Sequence, residues 1–275
     1  MKNGMKIGVR AHDYGTDTPH NLFGRIREHG FESVQLAIKK AIAGIRGMED
    51  ITPGVIDEIA DALRVNNLSV AVLGAYIEPS VAEEERRKQE VEEFIASLSV
   101  AKALGAGCVG TETTNLANHS LTRAEAYKNL CQSLEEILPE AERLGVITAI
   151  EPVHYHTINT PELAAQLLRE MASPNLALIL DPVNLFAPEH YESQYELWDR
   201  AFAFFGEHIQ AVHLKGFALG EDGRPFSPPL WESMVDNAYL LERLSVLKLP
   251  VSVLREEAMP PLAKKDIEYL KNLML

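Results

Sequence analysis

Eight short apolar runs recur down the chain, each followed by a polar, helix-like stretch. They read KIGVR (6–10), SVQLA (33–37), LSVAVLG (68–74), GCVGT (107–111), VITAIE (146–151), LALILD (176–181), IQAVHLK (209–215) and VSVLRE (251–256). Most are β-branched and apolar on both faces, the pattern of a parallel strand covered on each side. Parallel neighbours need a crossover between them, so end-to-end alternation of strand and helix restricts the chain to an α/β architecture. Eight strands favour a closed (β/α)8 barrel over an open doubly wound sheet. The length, 275 residues, is close to the roughly 250 typical of one such barrel. No linker, short-period repeat or low-complexity tract interrupts the pattern, which predicts a single domain over 1–275.

Local signals mark the helix boundaries. Thr52-Pro53 and Thr160-Pro161-Glu162 each place a capping hydroxyl before a proline at the first helical position. Thr122 and Glu125 are spaced as a capping box. Gly30 and Gly145 end charged helical stretches just before strands. The run EEERRKQEVEEF (83–94) reads as a solvated outer helix face. One stretch is irregular, Phe217 to Met234, with two glycines, three prolines and a tryptophan. It follows strand seven, on the catalytic face of a barrel, and its length suggests a substrate lid.

A net charge of −14 opposes nucleic-acid partners and anionic membranes, which need basic surfaces. Cys108 and Cys131 lie outside any CxxC pattern and read as two buried, unpaired thiols, suited to a reducing cytoplasm. The amino-terminal residues enter a strand almost directly, without the apolar segment of a signal peptide, and no apolar stretch of about 18 residues occurs. A cytoplasmic, unanchored protein is the expectation.

The ends of the last four strands carry the chemistry. Glu151, Asp181, His213 and Glu256 fall where strands five to eight run out, with spacings of 30, 32 and 43 residues. Each spacing is about one strand plus one helix, so a barrel brings all four to one mouth. A carboxylate at the end of a buried strand is costly unless solvated or paired. Three carboxylates and one imidazole suit a hard divalent cation: Mn2+ is favoured, with Mg2+, Co2+, Fe2+ or Zn2+ as alternatives. Other strand-end residues are placed to grip substrate hydroxyls: His12 and Asp13, Gln35, Tyr76 and Glu78, Glu112 and Thr113, His154 and His156. Asn184 is expected to orient the Asp181 turn. Lys215 and Arg255 are candidates for binding a substrate phosphate or carboxylate, although pairing with nearby acids is favoured.

The segments KIGVRAHDYG, VQLA, VLGAYIEP, VGTET, AIEPVHYH, LDPVNLF, VHLKGF and REEA give the chain a resemblance over nearly its whole length. It resembles the xylose-isomerase-like TIM-barrel superfamily of sugar isomerases and epimerases. The resemblance implies a divalent-metal-dependent isomerase or epimerase of a small sugar or keto-sugar. Metal ligands are then Glu151, Asp181, His213 and Glu256, and the two glutamates exchange the proton from opposite faces. His12, Gln35, Tyr76, Glu112, His154 and Lys215 become the substrate-binding set, and a homo-oligomer is a further expectation. Two departures stand out. The family's strand-seven motif commonly reads His-Leu-Lys-Asp, whereas Gly216 stands here in place of the Asp. The family's strand-eight glutamate aligns with any of residues 254 to 257: an alignment on Leu254 leaves the fourth ligand missing, and period-two alternation favours Glu256 over Glu257. The rival readings are an inosose-type dehydratase using the same metal site and a degenerate barrel that binds a sugar without turning it over.

Overall fold

The computed structural model of the protein describes residues 5–247 and 250–274. Eight parallel strands close a barrel: β1 (Lys6–Arg10), β2 (Ser33–Leu36), β3 (Ser69–Gly74), β4 (Val109–Glu112), β5 (Thr148–Glu151), β6 (Leu176–Leu180), β7 (Ile209–Leu214) and β8 (Ser252–Arg255). Neighbours follow chain order, and β8 pairs with β1 to shut the ring. Helices α1 (Pro19–His29), α3 (Pro53–Val65), α4 (Glu84–Leu104), α5 (Arg123–Leu144), α6 (Pro161–Met171), α7 (Gln194–Phe205), α8 (Asn237–Ser245) and α9 (Ala263–Leu273) follow the strands in turn, and α2 (Ile38–Ala41) is a single turn within the β2–α3 loop. The architecture is the (β/α)8 TIM barrel expected from the strand–helix alternation.

The boundary signals act as their chemistry requires. Thr52 and Thr160 accept backbone N–H bonds from Val55 and Leu163, and Thr122 forms a capping box with Glu125. Gly30 and Gly145 close α1 and α5 in the left-handed conformation. Three expectations need correction. The fourth and fifth strands begin two residues later than 107 and 146, at Val109 and Thr148: Gly107 lies in a bend, and Val146 N–H still bonds the Ala141 carbonyl at the end of α5. The charged 83–94 face is not wholly solvated: Arg87 is buried and bonds Ser133 and Glu136 on α5. Cys108 is buried, but Cys131 is only partly covered.

Two cores result from the alternation of strand side chains. The larger joins outward strand faces to the helices. The smaller fills the barrel with Val72, Cys108, Ala149, Ile179, Ala211 and Leu254. Glycines make room for it. A Cβ on Gly8 would come within 2.6 Å of Leu254, and one on Gly110 within 2.6 Å of Val72 and 2.7 Å of Ile179. Two residues beyond this floor, the same inward rows continue: Ala149 leads to Glu151, Ile179 to Asp181, Ala211 to His213, and Leu254 to Glu256. The apolar plug therefore forms the floor beneath a polar ring.

The irregular stretch after β7 is ordered rather than featureless. Ala218–Leu219 pairs antiparallel with Pro225–Phe226, and Met234 N–H bonds the Phe217 carbonyl across the base of the loop. Phe217 packs edge-to-face on Phe186 at 5.1 Å. Gly216 has a packing reason here: a Cβ at that position would lie 1.9 Å from the Pro228 carbonyl oxygen. Gly216→Ala should therefore displace the returning arm of the loop. The expected cost is about 1–3 kcal/mol, read as a lower urea midpoint with an unchanged slope.

Candidate metal centre

Glu151 is the last residue of β5, Asp181 follows β6, His213 is the penultimate residue of β7, and Glu256 follows β8. All four side chains are buried. One ligand atom each from Glu151, Asp181 and His213 can be chosen so that the three lie within 4.8 Å of one another. Glu256 adjoins them: His213 Nδ1 lies 3.0 Å from Glu151 Oε2 and 3.3 Å from Glu256 Oε1. The exposed neighbour Glu257 takes a left-handed conformation, with φ of 53°. Among the described residues the structure thus directs Glu256, and not Glu257, toward the cluster.

The supporting contacts come from several strand ends. Asp181 Oδ1 accepts the backbone N–H groups of Val183 and Asn184, both at 2.8 Å. Asn184 Nδ2 donates to Glu151 Oε1 at 2.7 Å, while its side-chain Oδ1 accepts from Lys215 Nζ at 2.6 Å. Asn184 thus ties the β5, β6 and β7 ends together, a larger role than orienting the Asp181 turn. Trp198, fully buried on α7, secures that turn from behind by donating to the Pro182 carbonyl at 3.2 Å. Lys215 Nζ sits 2.8 Å from Asp181 Oδ2, the pairing favoured from sequence. Arg255 also pairs, with Asp266 on α9 at 3.0 Å, and donates to the Glu256 carbonyl.

Sequence reasoning passed over Arg10. It is the final residue of β1, one step along the inward row from Gly8, and its guanidinium lies 3.5 Å from Glu256 Oε2. It also bonds Asp13 at 2.8 Å, and Asp13 in turn accepts the Ala258 N–H. Asp13 therefore pins the turn after β8 rather than facing substrate. The period-two rule applied to KIGVR was the signal that could have found Arg10.

The remaining expected residues divide between the mouth and its periphery. Gln35 donates to the Tyr76 hydroxyl at 3.0 Å, and the His12 ring stands edge-on to Tyr76 at 6.5 Å. Glu112 lies beside Glu151 in the sheet register and 3.6 Å from His156. His154 is bonded to the Asn184 carbonyl through its own N–H. Thr113 accepts the Ile158 N–H, and Glu78 is engaged by Arg86 and His119. Those two bonds give Thr113 and Glu78 structural partners.

Burial sets the electrostatics. It opposes the charged form of His213, yet Glu256 and Glu151 outweigh it and hold the imidazole up at about 9. Burial, only partly offset by Lys215, raises Asp181, while His213, Lys215 and Arg10 overcome burial to keep Glu256 below the usual carboxylate range. Burial and then the Glu151 charge push Glu112 up to about 7. Burial drops His12 and His156 to about 4.

A divalent cation fits this donor set. Asp181 Oδ2 and His213 Nδ1 meet only ionic neighbours, Lys215 at 2.8 Å and Glu151 at 3.0 Å, and the buried His213 Nε2 has no hydrogen-bond partner among the described residues. Buried polar atoms are rarely left so, and these belong to the oxygen and imidazole classes that bind Mn2+, Mg2+ or Zn2+. Mn2+ added to metal-stripped protein should raise the melting temperature, because ligand binding at 100 times Kd stabilises by about 2.7 kcal/mol. Asp181→Ala should abolish the shift. In the metal-free protein Glu112 binds its proton more tightly folded than unfolded, where a glutamate titrates near 4.5. Its stabilising contribution is thus full below about pH 4.5 and lost as pH rises through about 7. Glu112→Gln should flatten that decline in a melting series from pH 4 to 8.

Residues 23–273 match the family model described as xylose isomerase-like TIM barrel. No curated protein sequence matches the chain. Among solved structures, a D-tagatose 3-epimerase-like protein superposes with TM-score 0.78 at 19% identity, over 98% of this chain and 97% of that one. A 3-keto-D-glucoside 4-epimerase from E. coli gives TM-score 0.72 at 18% identity, over 98% and 99%. The IOLI protein with a bound zinc atom gives 0.71 at 17% identity, over 98% and 96%. At these identities the likeness is one of fold, while the family match spans most of the sequence. The chain belongs to the xylose isomerase-like TIM barrel family.

Proposed function

We propose that this protein is a divalent-metal-dependent isomerase or epimerase of a small sugar or keto-sugar, acting by proton transfer next to a carbonyl. The observation that carries the reading is the placement of Glu151 and Glu256 about His213. Their oxygens approach the same ring nitrogen at 3.0 and 3.3 Å from two different strand ends. A 3-keto-D-glucoside 4-epimerase and a D-tagatose 3-epimerase-like protein among the fold neighbours, and the zinc in a third, support the same class.

Glu151, Asp181, His213 and Glu256 would hold the cation, with Mn2+ preferred. A bound divalent ion supplies Lewis-acid polarisation of a substrate carbonyl and hydroxyl. The chain's own residues do the rest. One glutamate removes the proton from the carbon beside the carbonyl, and the other returns it from the opposite face. Asn184 fixes the Glu151 carboxylate through its 2.7 Å bond, and Arg10 faces Glu256. The depressed Glu256 stays ionised at neutral pH, as a base must before it takes a proton. His12, Gln35, Tyr76 and His154 surround the space where sugar hydroxyls would lie, and Lys215 adds a cation against developing oxyanion charge.

One observation favours a second reading. Glu112, held up at about 7, can remain protonated at neutral pH and deliver a proton to a departing hydroxyl. An inosose-type dehydratase would use it so. No comparable feature favours a barrel without catalysis, since Gly216 has the packing explanation given above.

No described helix is long and apolar enough to cross a membrane. Two free thiols suit a reducing, cytoplasmic setting. A panel of ketoses and a cyclic ketone, assayed with Mn2+ and resolved by product, tests both readings. An epimer or isomer supports the first, a dehydrated ketone the second. Glu151→Gln and Glu256→Gln should each lower kcat by about 10²–10⁴-fold. Full activity in either variant would overturn the two-base assignment.

A further inference from the structure

We propose that the sugar this site accepts is anionic, and that Lys40, with Arg10 behind it, receives the negative group at the β1–β3 wall of the mouth. This rests on the reading of the site as a sugar isomerase or epimerase and names its substrate class.

The cations around the mouth are unequally occupied. Lys215 is held by Asp181 and Arg10 by Asp13 and Glu256. Lys39 pairs with Glu93 on α4. Lys40 has no ion pair and no side-chain hydrogen bond among the described residues; its ammonium instead lies 3.7 Å from the centroid of the Tyr76 ring. A neutral-sugar site gains from an open aromatic face against C–H groups, but here a cation covers one face of the ring. The cation–π contact keeps the ammonium beside the mouth without neutralising it.

Polar groups without partners stand next to this cation. Gln35 is 3% exposed, and its Oε1 has no hydrogen-bond donor, although its Nε2 bonds the Tyr76 hydroxyl. The His12 Nδ1 atom is likewise buried and unpartnered. Both side chains adjoin the Tyr76 ring that Lys40 covers, so a polyol chain bound at that ring lies beside Lys40. Lys40 is exposed, and Arg10, Glu112 and Glu256 all act on its charge, so the ammonium stands at the mouth where an arriving anion can meet it. The chain carries a net charge of −14 and its mouth is rich in carboxylates, so an anionic ligand needs a local, unpaired cation to dock.

The test uses Mn2+-loaded full-length protein and three ketoses of one frame: neutral D-fructose, its 6-carboxylate D-fructuronate, and D-fructose 6-phosphate. Affinity is read by calorimetry and turnover by product analysis, for wild type, Lys40→Gln and Lys40→Arg. The expected result is at least tenfold tighter binding of an anionic ketose than of D-fructose by wild type. Lys40→Gln should lose that preference with D-fructose binding unchanged, and Lys40→Arg should retain it. Preference for the carboxylate or for the phosphate tells which group the wall receives. Equal affinity for all three in wild type, or an undiminished preference in Lys40→Gln, overturns the inference. Turnover of all three at equal kcat/KM leaves the isomerase reading standing and sinks this one. Lys40-dependent binding of the anions without turnover does the reverse.

Discussion

Closure of eight parallel strands into one ring is the constraint on which the site depends. Every strand runs the same way, so every carboxyl end opens at the same rim. The pleat then sends alternate side chains inward. Gly8, Gly110, Ala149, Ile179, Ala211 and Leu254 lie along these rows below the rim, and Arg10, Glu112, Glu151, Asp181, His213 and Glu256 lie two residues farther on. The packed floor fixes the height at which the polar ring sits. It also denies water a route from below, which strengthens the electrostatic interactions above it.

That ring confronts the cost of burying charge. Glu151, Asp181 and Glu256 are each about 5% exposed or less. Isolated carboxylates there would be expensive, and several kcal/mol of desolvation per ion, roughly, must be offset by partners. Lys215 and Arg10 supply two cations, His213 a third when protonated, and Asn184 binds the neutral side of the network. The compensation is incomplete: the buried His213 Nε2 has no hydrogen-bond partner among the described residues. Folding therefore holds a preorganised set of donors open, as a metal site must.

The loops show how packing outside the barrel reaches the chemistry. Trp198 anchors the Asp181 turn from α7, and Arg255 joins β8 to Asp266 while bonding the Glu256 carbonyl. Gly216 yields space to the Pro228 carbonyl. A strand-seven Asp could not occupy that position with the loop as it stands, so the departure from the family motif reflects loop packing.

Much of this was legible in the chain. Apolar runs, caps and helix-ending glycines report local preferences, and eight alternations left little choice beyond a closed barrel. The order Glu151, Asp181, His213, Glu256 also survives in one dimension, because each lies at the end of its own strand. What the sequence by itself did not determine were the partners. Residue 10 meets residue 256 only because β1 pairs with β8 across nearly the whole chain. Lys40 meets Tyr76 only because β2 and β3 are neighbours, and Glu257 stays exposed, outside the buried ligand cluster, in a left-handed backbone conformation that no local pattern announces. Sequence periodicity encodes which face a residue takes; the closed ring alone decides what stands opposite it.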